Sequence, residues 1–373
     1  MKKVAILSLH LGFGGIEKAV TSLANMLVDD YDVEILCDYK LDSQPAFFID
    51  ERVKVTYLIE KLKPNAREFK AAVKSFNIVN IIREGITSVK VLYLREARMI
   101  KAIKESDADI IISSRLLFNK LLGKYGKPGV RKIGWEHNHW LTNEKHHDQV
   151  VKSAQNLDAF VSVSKAINDH YSQYLKCECV SIGNIIDYVP AKPNDLDDHR
   201  LISVGSLIPI KGYMDLIDIM NEVCKKDEDW HLDMFGDGIQ KQDILDKIEK
   251  YGLKDRITVH GYQKKDVINE YLSRSSIYCM TSLTEALPIC LLEAAGFGIP
   301  AVAFDCPGAD EIIEEGRNGY FIHDRNIEAY ADKLLEIMND DALRKRLGAY
   351  CWDISKRYYP EEIKKAWVKL IEE

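Results

Sequence analysis

The stretch SIYCMTSLTEALPICLLEAAGFGIPAVAFD, residues 276–305, decides the fold. SIYCMTS is an apolar run of strand length, and it opens into the loop Leu283-Thr284-Glu285-Ala286-Leu287. Pro288 follows near the first turn of a helical pattern, where its missing N–H would have no intrahelical partner anyway. A second apolar run, PAVAFD, comes after the helix. Strand, helix and strand in this order are the unit from which parallel sheets are built.

The same alternation extends to both ends. VAILSL, VEILC, VKVTYLI, DIIISS, KIGWEH, AFVSVS and CVSIGN are the expected strands of a first half. RLISVG, WHLDMFG, ITVHG, SIYCMTS and PAVAFD form a second series that begins at Arg200. Between them IIDYVPAKPNDLDDHR carries two prolines, several acids and no apolar period, which predicts a linker over residues 188–199. Residues 1–187 and 200–355 are each long enough to form a doubly wound, Rossmann-like α/β domain, with the two expected to face across a cleft. Residues 356–373 are expected to add a C-terminal helix that packs back toward the first domain.

Composition agrees with two domains: 373 residues, 46% hydrophobic and 29% charged, suffice for two cores. A net charge of -7 argues against a nucleic-acid binder. The eight cysteines are scattered as reduced thiols would be, and Cys177-Glu178-Cys179 lacks C-x-x-C spacing. KKVAILSL reads as a first strand rather than a signal peptide, and no apolar run reaches the ~18 residues a bilayer span needs. A cytoplasmic protein is expected.

Ligands of open α/β sheets bind beyond the carboxyl ends of the strands, so the residues there are the candidates. After the first strand, Gly12-Phe13-Gly14-Gly15 precedes a helix; it is either a tight turn or a place where amides approach a phosphate. After RLISVG, Lys211 is either an exposed lysine at a helix start or a cation within reach of a diphosphate. Glu285 lies in the loop after SIYCMTS, and Glu293 lies on the next helix among Leu291, Leu292, Ala294 and Ala295. A carboxylate in such surroundings needs a partner, either a sugar hydroxyl or a group of the protein itself. The amides near Ile289 and Cys290, at the helix start, suit phosphate.

VGSLIPIKGY, MFGDG, ITVHGY and TSLTEALPICLLEAAGFGIPAVAFDCPGADEIIEEGRNGYFI cover essentially all of residues 200–323. In order and spacing they resemble the retaining GT-B glycosyltransferases of family GT4. GFGGIEKAVTSLA, WEHN, FVSVSK and IGNIID extend the resemblance more loosely over the first half. The likeness is greatest to bacterial polysaccharide and lipid-linked oligosaccharide transferases. It implies a GT-B fold with an acceptor-binding first domain and a nucleotide-sugar-binding second domain. It also implies transfer of a hexosyl or N-acetylhexosaminyl group from a UDP-sugar, with GDP-mannose the alternative donor.

The resemblance assigns Glu285 to the sugar hydroxyls, Glu293 to the ribose, and Lys211 with the Gly14-Gly15 amides to the diphosphate. It assigns Tyr262 to the base, and places Ser206, Ala286, Leu287, Ile289 and Cys290 along the donor. His137, in WEHN, takes the place of a histidine at the reaction centre, so that His137, Glu285 and Lys211 form the catalytic set. Ser206 stands where many members have arginine, leaving Lys211 with less help on the diphosphate. No cofactor and no metal are expected. His137, His139, His146 and His147, with Glu136 and Asp148, match no standard ligand spacing. Asp107-Ala108-Asp109 imitates a D-x-D motif but directly precedes a strand.

Residues 61–134 hold 17 Lys and Arg against 6 Asp and Glu. Two helices are expected here, EFKAAVKSFNIVNIIREG and VKVLYLREARMIKAIKES; each is either a solvated face over a core or a basic surface on an anionic leaflet. With a lipid-linked saccharide acceptor, peripheral contact on the cytoplasmic face of the inner membrane is expected. Rival readings are another GT-B enzyme, such as a nucleotide-sugar epimerase or a phosphorylase, and a non-catalytic sugar-nucleotide-binding protein.

Overall fold

A computed structural model of the chain describes residues 1–41, 43–142 and 145–373. The fold divides into two units, Met1–Ile182 with Ala366–Glu373, and Gly183–Lys365. Each is a parallel sheet with helices between its strands.

The first sheet comprises β1 (Lys3–Ser8), β2 (Asp32–Tyr39), β3 (Lys54–Ile59), β4 (Ile110–Ser113), β5 (Arg131–Glu136), β6 (Ala159–Ser162) and β7 (Glu178–Ser181). Its spatial order is β3-β2-β1-β4-β5-β6-β7. The second comprises β8 (Arg200–Val204), β9 (His231–Phe235), β10 (Ile257–Gly261), β11 (Ile277–Met280), β12 (Ala301–Phe304) and β13 (Gly319–Ile322), in the order β10-β9-β8-β11-β12-β13. Central strands are apolar at consecutive positions because both faces are covered. Val4, Ala5, Ile6 and Leu7 of β1 are wholly buried, as are the four residues of β11 in the second sheet.

In each sheet the chain winds outward from a central strand, then returns to that strand's other side. The switch falls between β1 and β4 in one unit and between β8 and β11 in the other. Connections leaving the carboxyl ends of these strands diverge and leave a crevice there. The candidate loops after β1, β8 and β11 all issue from these two points.

The structure differs from the sequence reading in three places. β13 was not expected: it is four residues long, follows Arg317-Asn318, and begins at a glycine. A Cβ at Gly319 would stand 2.5 Å from the Ala301 carbonyl of β12, so only glycine lets this strand close up. Second, the two basic helices are divided otherwise than expected. The helix Ala66–Lys74 ends at a turn, and a single 28-residue helix, Ile78–Glu105, follows. The break is set by Asn77, whose side chain accepts from the Asn80 amide and caps the second helix.

Third, residues 188–199 have no regular structure yet are pinned to the second unit. The Asn194 amide group donates to Leu272 O at 2.7 Å and Ser275 O at 3.0 Å. Leu196 is buried with φ 59, and its carbonyl accepts from Arg344 Nε at 2.9 Å. Arg344, itself 1% exposed, also donates to Ile337 O and Met338 O, the last carbonyls of the helix Ile327–Met338. A cation there answers both the unpaired carbonyls and the negative end of the helix dipole. The C-terminal helix Pro360–Glu372 crosses from one unit to the other. In the first unit Trp367 is wholly buried edge-on to Trp135, and Glu372 accepts from Tyr31 at 2.9 Å.

Replacing Arg344 with alanine strands three buried carbonyls and opens a cavity. The expected loss is about 3 kcal/mol, read in urea as a lower unfolding midpoint with unchanged slope.

Candidate active site

The loops leaving β8 and β11 are joined to one another. After Val204 the chain makes a single turn of 3-10 helix, Pro209–Lys211. It then passes through Gly212, at φ 66, into the helix Tyr213–Val223. The Leu283 amide donates to Ile210 O at 2.8 Å, and Thr281 Oγ1 donates to Lys211 O at 3.0 Å. This backbone register brings Lys211 and Glu285 together as a partly buried ion pair. Ser282 Oγ donates to the same Glu285 oxygen at 2.8 Å. Burial works against the Lys211 ammonium, but the Glu285 carboxylate and then the Cys290 thiol outweigh it, and the pKa rises above the ordinary lysine value.

A third loop supports the pair from β12. The Glu285 amide donates to Pro307 O at 3.1 Å. Next to it Gly308 has φ 87, and a Cβ there would lie 2.5 Å from both Glu285 O and Ala286 O. Glycine is therefore required by conformation and by space.

Arg325 is a cation that sequence reasoning missed. It follows β13, and without that strand its loop had no place at the sheet edge. Its Nη2 donates to Thr281 O at 2.9 Å, its Nε pairs with Asp215 at 3.1 Å, and the guanidinium lies 4.4 Å from the centre of the Phe304 ring. Arg325 thus ties the β11 loop to the helix that follows Lys211.

Leu287 is buried, and its carbonyl accepts from Asn184 Nδ2 at 3.0 Å. The helix Ile289–Gly296 starts directly after Pro288, with no side chain capping it. Ile289 and Cys290, both half-buried, place their amides at this helix start, beside the partly buried Ala286. Glu293 is buried on the same helix and pairs with Lys265 Nζ at 2.5 Å. Sequence reasoning had not found Lys265 as the partner of this carboxylate; 28 positions of chain separate the two residues and carry no periodic signal. Ser206 is exposed, and so is Tyr262, which follows Gly261 at the end of β10.

In the first unit, Gly14 and Gly15 open the helix Gly15–Leu27. Glu17, in its first turn, is buried and paired with Arg115, which follows β4. The Glu17 carboxylate occupies the space a Gly14 side chain would take. His137 follows β5, its ring 4.2 Å from that of Trp135. Among the described residues its Nε2 has no hydrogen-bond partner. Burial, and then the Arg115 guanidinium, push its pKa down to about 3, so the imidazole is neutral at physiological pH.

Members of the neighbouring group of acids and histidines have hydrogen-bond partners within the first unit. Glu136 accepts from Asn138 N at 2.8 Å, and His147 shares a hydrogen bond of 2.9 Å with His170. Among the described residues no three His, Cys, Asp or Glu side chains are grouped to hold a metal ion. Asp107 and Asp109 are both spent on Lys3 at the start of β1. No described helix is long and apolar enough to cross a membrane.

Residues 186–351 match the family described as Glycosyl transferases group 1. The chain is 28% identical, over 95% of each sequence, to the amylovoran biosynthesis glycosyltransferase AmsD of Erwinia amylovora. It is 23% identical, over 100% of this chain and 99% of the other, to a Campylobacter jejuni N-acetylgalactosaminyltransferase named for a diNAcBac-PP-undecaprenol-linked acceptor. In structure it is similar to an S. aureus TarM variant in complex with fondaparinux, alpha-GlcNAc-glycerol and UDP. That similarity has a TM-score of 0.79 at 16% identity, covering 100% of both chains. The fold is GT-B.

Two outcomes follow from this geometry. Arg325→Ala should release the β11 loop, so that the Leu283 and Glu285 amides lose about tenfold or more of their hydrogen-exchange protection. For His137, the unfolded imidazole takes up a proton near 6.5 and the folded one only near 3. Stability therefore falls as pH drops through that window. In His137→Gln the slope of stability against pH should shrink by up to about 1.4 kcal/mol per pH unit, measured by urea unfolding between the two values.

Proposed function

We propose that this chain, which has the GT-B fold and matches Glycosyl transferases group 1 over residues 186–351, is a glycosyltransferase that moves a hexosyl or N-acetylhexosaminyl group from a UDP-sugar to a lipid-linked saccharide. Configuration at the anomeric carbon is retained, and the product enters surface polysaccharide or glycoconjugate synthesis. The observation that carries this reading is the Lys211–Glu285 pair, held at the switch point of the second sheet beside an uncapped helix start. The activities for which the relatives are named support the polymer and the lipid carrier, and the UDP in the TarM complex supports the nucleotide.

In this reading the sugar hydroxyls donate to Glu285, and Lys211 turns from its carboxylate partner toward the diphosphate. Glu293 accepts from the ribose hydroxyls while Lys265 offsets its charge. Tyr262 and its loop hold the base, and Ser206 lies beside the phosphates. Backbone along Ala286, Leu287, Ile289 and Cys290 follows the donor, and the Gly14-Gly15 amides bind its diphosphate. The bond from the anomeric carbon to the phosphate oxygen breaks, and its electrons go to that oxygen. Lys211 and the helix start meet the growing charge. The acceptor oxygen bonds to the same face of the sugar, and its proton passes to the departing phosphate. His137, neutral and with Nε2 available, accepts a hydrogen bond at the reaction centre. Nothing in these steps calls on a metal or another cofactor. A lipid-linked acceptor also places the chain on the cytoplasmic face of a membrane.

Glu293→Gln should weaken UDP-sugar binding about tenfold by calorimetry. Glu285→Ala should lower turnover about a hundredfold while changing affinity far less. Wild-type turnover in both variants would refute the assignment. EDTA should leave the rate unchanged. UDP release should require added acceptor, whereas an epimerase would form product from the donor alone.

A further inference from the structure

After β3, at an edge of the first sheet, the chain forms a hairpin from the helices Ala66–Lys74 and Ile78–Glu105. The far half of the long helix is fixed inward, with Met99 and Ile103 wholly buried. Its near half presents the opposite character. Val79, Ile82, Ile86, Val89 and Tyr93 recur at spacings of three and four and are 58–75% exposed. That spacing lines one face of a helix. Val91, by contrast, is buried and packs with Tyr39 and Ile59.

The turn that joins the helices extends this apolar surface. Phe76 adopts φ 51 and is 87% exposed. A bulky aromatic is uncommon in the left-handed region, and here the conformation turns the ring out to solvent. The hairpin is nonetheless well tied. The Asn77 amide donates to Ala72 O at 3.2 Å at the tip. At the base, Asn65 Nδ2 donates to Glu84 O and Ser88 Oγ donates to Asn65 Oδ1, both at 2.9 Å. The exposed stripe is thus a formed surface.

Its charge identifies what covers it. From residue 61 to residue 90 there are seven Lys and Arg, all exposed, against two glutamates. One of these, Glu84, is already held by Asn65 and Arg83. Two copies of the hairpin meeting face to face would bring two cationic rims together. An anionic lipid surface satisfies both features, since acyl chains take the apolar stripe and headgroup phosphates take the rim. We infer that this hairpin seats the protein on an anionic bilayer, with Phe76 and the Val79–Tyr93 stripe entering the headgroup boundary. The inference rests on the proposed lipid-linked acceptor for its purpose only, because lipid binding is read without turnover.

The test is sedimentation of the full chain with vesicles of phosphatidylcholine alone, and of one part phosphatidylglycerol to three parts phosphatidylcholine. The wild type should bind the anionic vesicles, less so as salt rises. The triple variant Phe76→Glu/Ile82→Glu/Ile86→Glu and the triple variant Lys70→Glu/Lys74→Glu/Lys90→Glu should each lose about tenfold or more in affinity. Both should keep the wild-type melting temperature and the wild-type affinity for UDP. Absence of binding, equal binding to neutral vesicles, or unchanged binding by the variants overturns the inference. So does a wild-type dimer in sedimentation equilibrium that the apolar triple variant dissociates. An inactive wild type that still binds anionic vesicles overturns the transferase reading and leaves this one standing.

Discussion

The hydrogen bond from the Leu283 amide to the Ile210 carbonyl is the constraint on which the second unit's site depends. It fixes the register between the loops leaving β8 and β11, and the Thr281–Lys211 bond doubles it. Only because of that register do a lysine and a glutamate far apart in sequence form an ion pair at the sheet's switch point. Arg325 and Gly308 act on the same loop from two sides, one through charge and one through the room it leaves. The loops that carry the carboxylate and the ammonium are thereby held before any ligand arrives, so that in the proposed reaction only the lysine side chain has to turn.

The pairing of opposite charges recurs at three carboxylates. Glu285 meets Lys211, Glu293 meets Lys265, and Glu17 meets Arg115. Each carboxylate lies where a lone charge would be costly to bury, and each cation offsets that cost. His137 is handled differently. It is kept neutral, by burial and by the nearby guanidinium, so it offers an acceptor rather than a charge.

The hairpin at the edge of the first sheet gathers many of the chain's exposed large apolar residues in one place. Its long helix joins a buried half to an exposed one, so the same element anchors in the core and presents a surface. A basic rim of this kind offsets the negative balance of the chain as a whole and gives a local field of the opposite sign.

The sequence alone determined the two parallel sheets. Strands covered on both faces need consecutive apolar residues, and runs such as VAILSL and SIYCMTS are legible without a partner. It also marked the loops after β1, β8 and β11, because Gly14, Lys211 and Glu285 stand at strand ends. Tertiary structure decided the rest. β13 escaped notice because its pairing depends on a glycine packed against the Ala301 carbonyl, which is a fact about distance and not about pattern. Arg325 and Lys265 escaped for the same reason: their partners are brought by sheet order. The linker's fixed course was set by Arg344, which lies 148 positions from Leu196. Periodicity records which face a residue shows, whereas ion pairs and close approaches depend on which strands the fold makes neighbours.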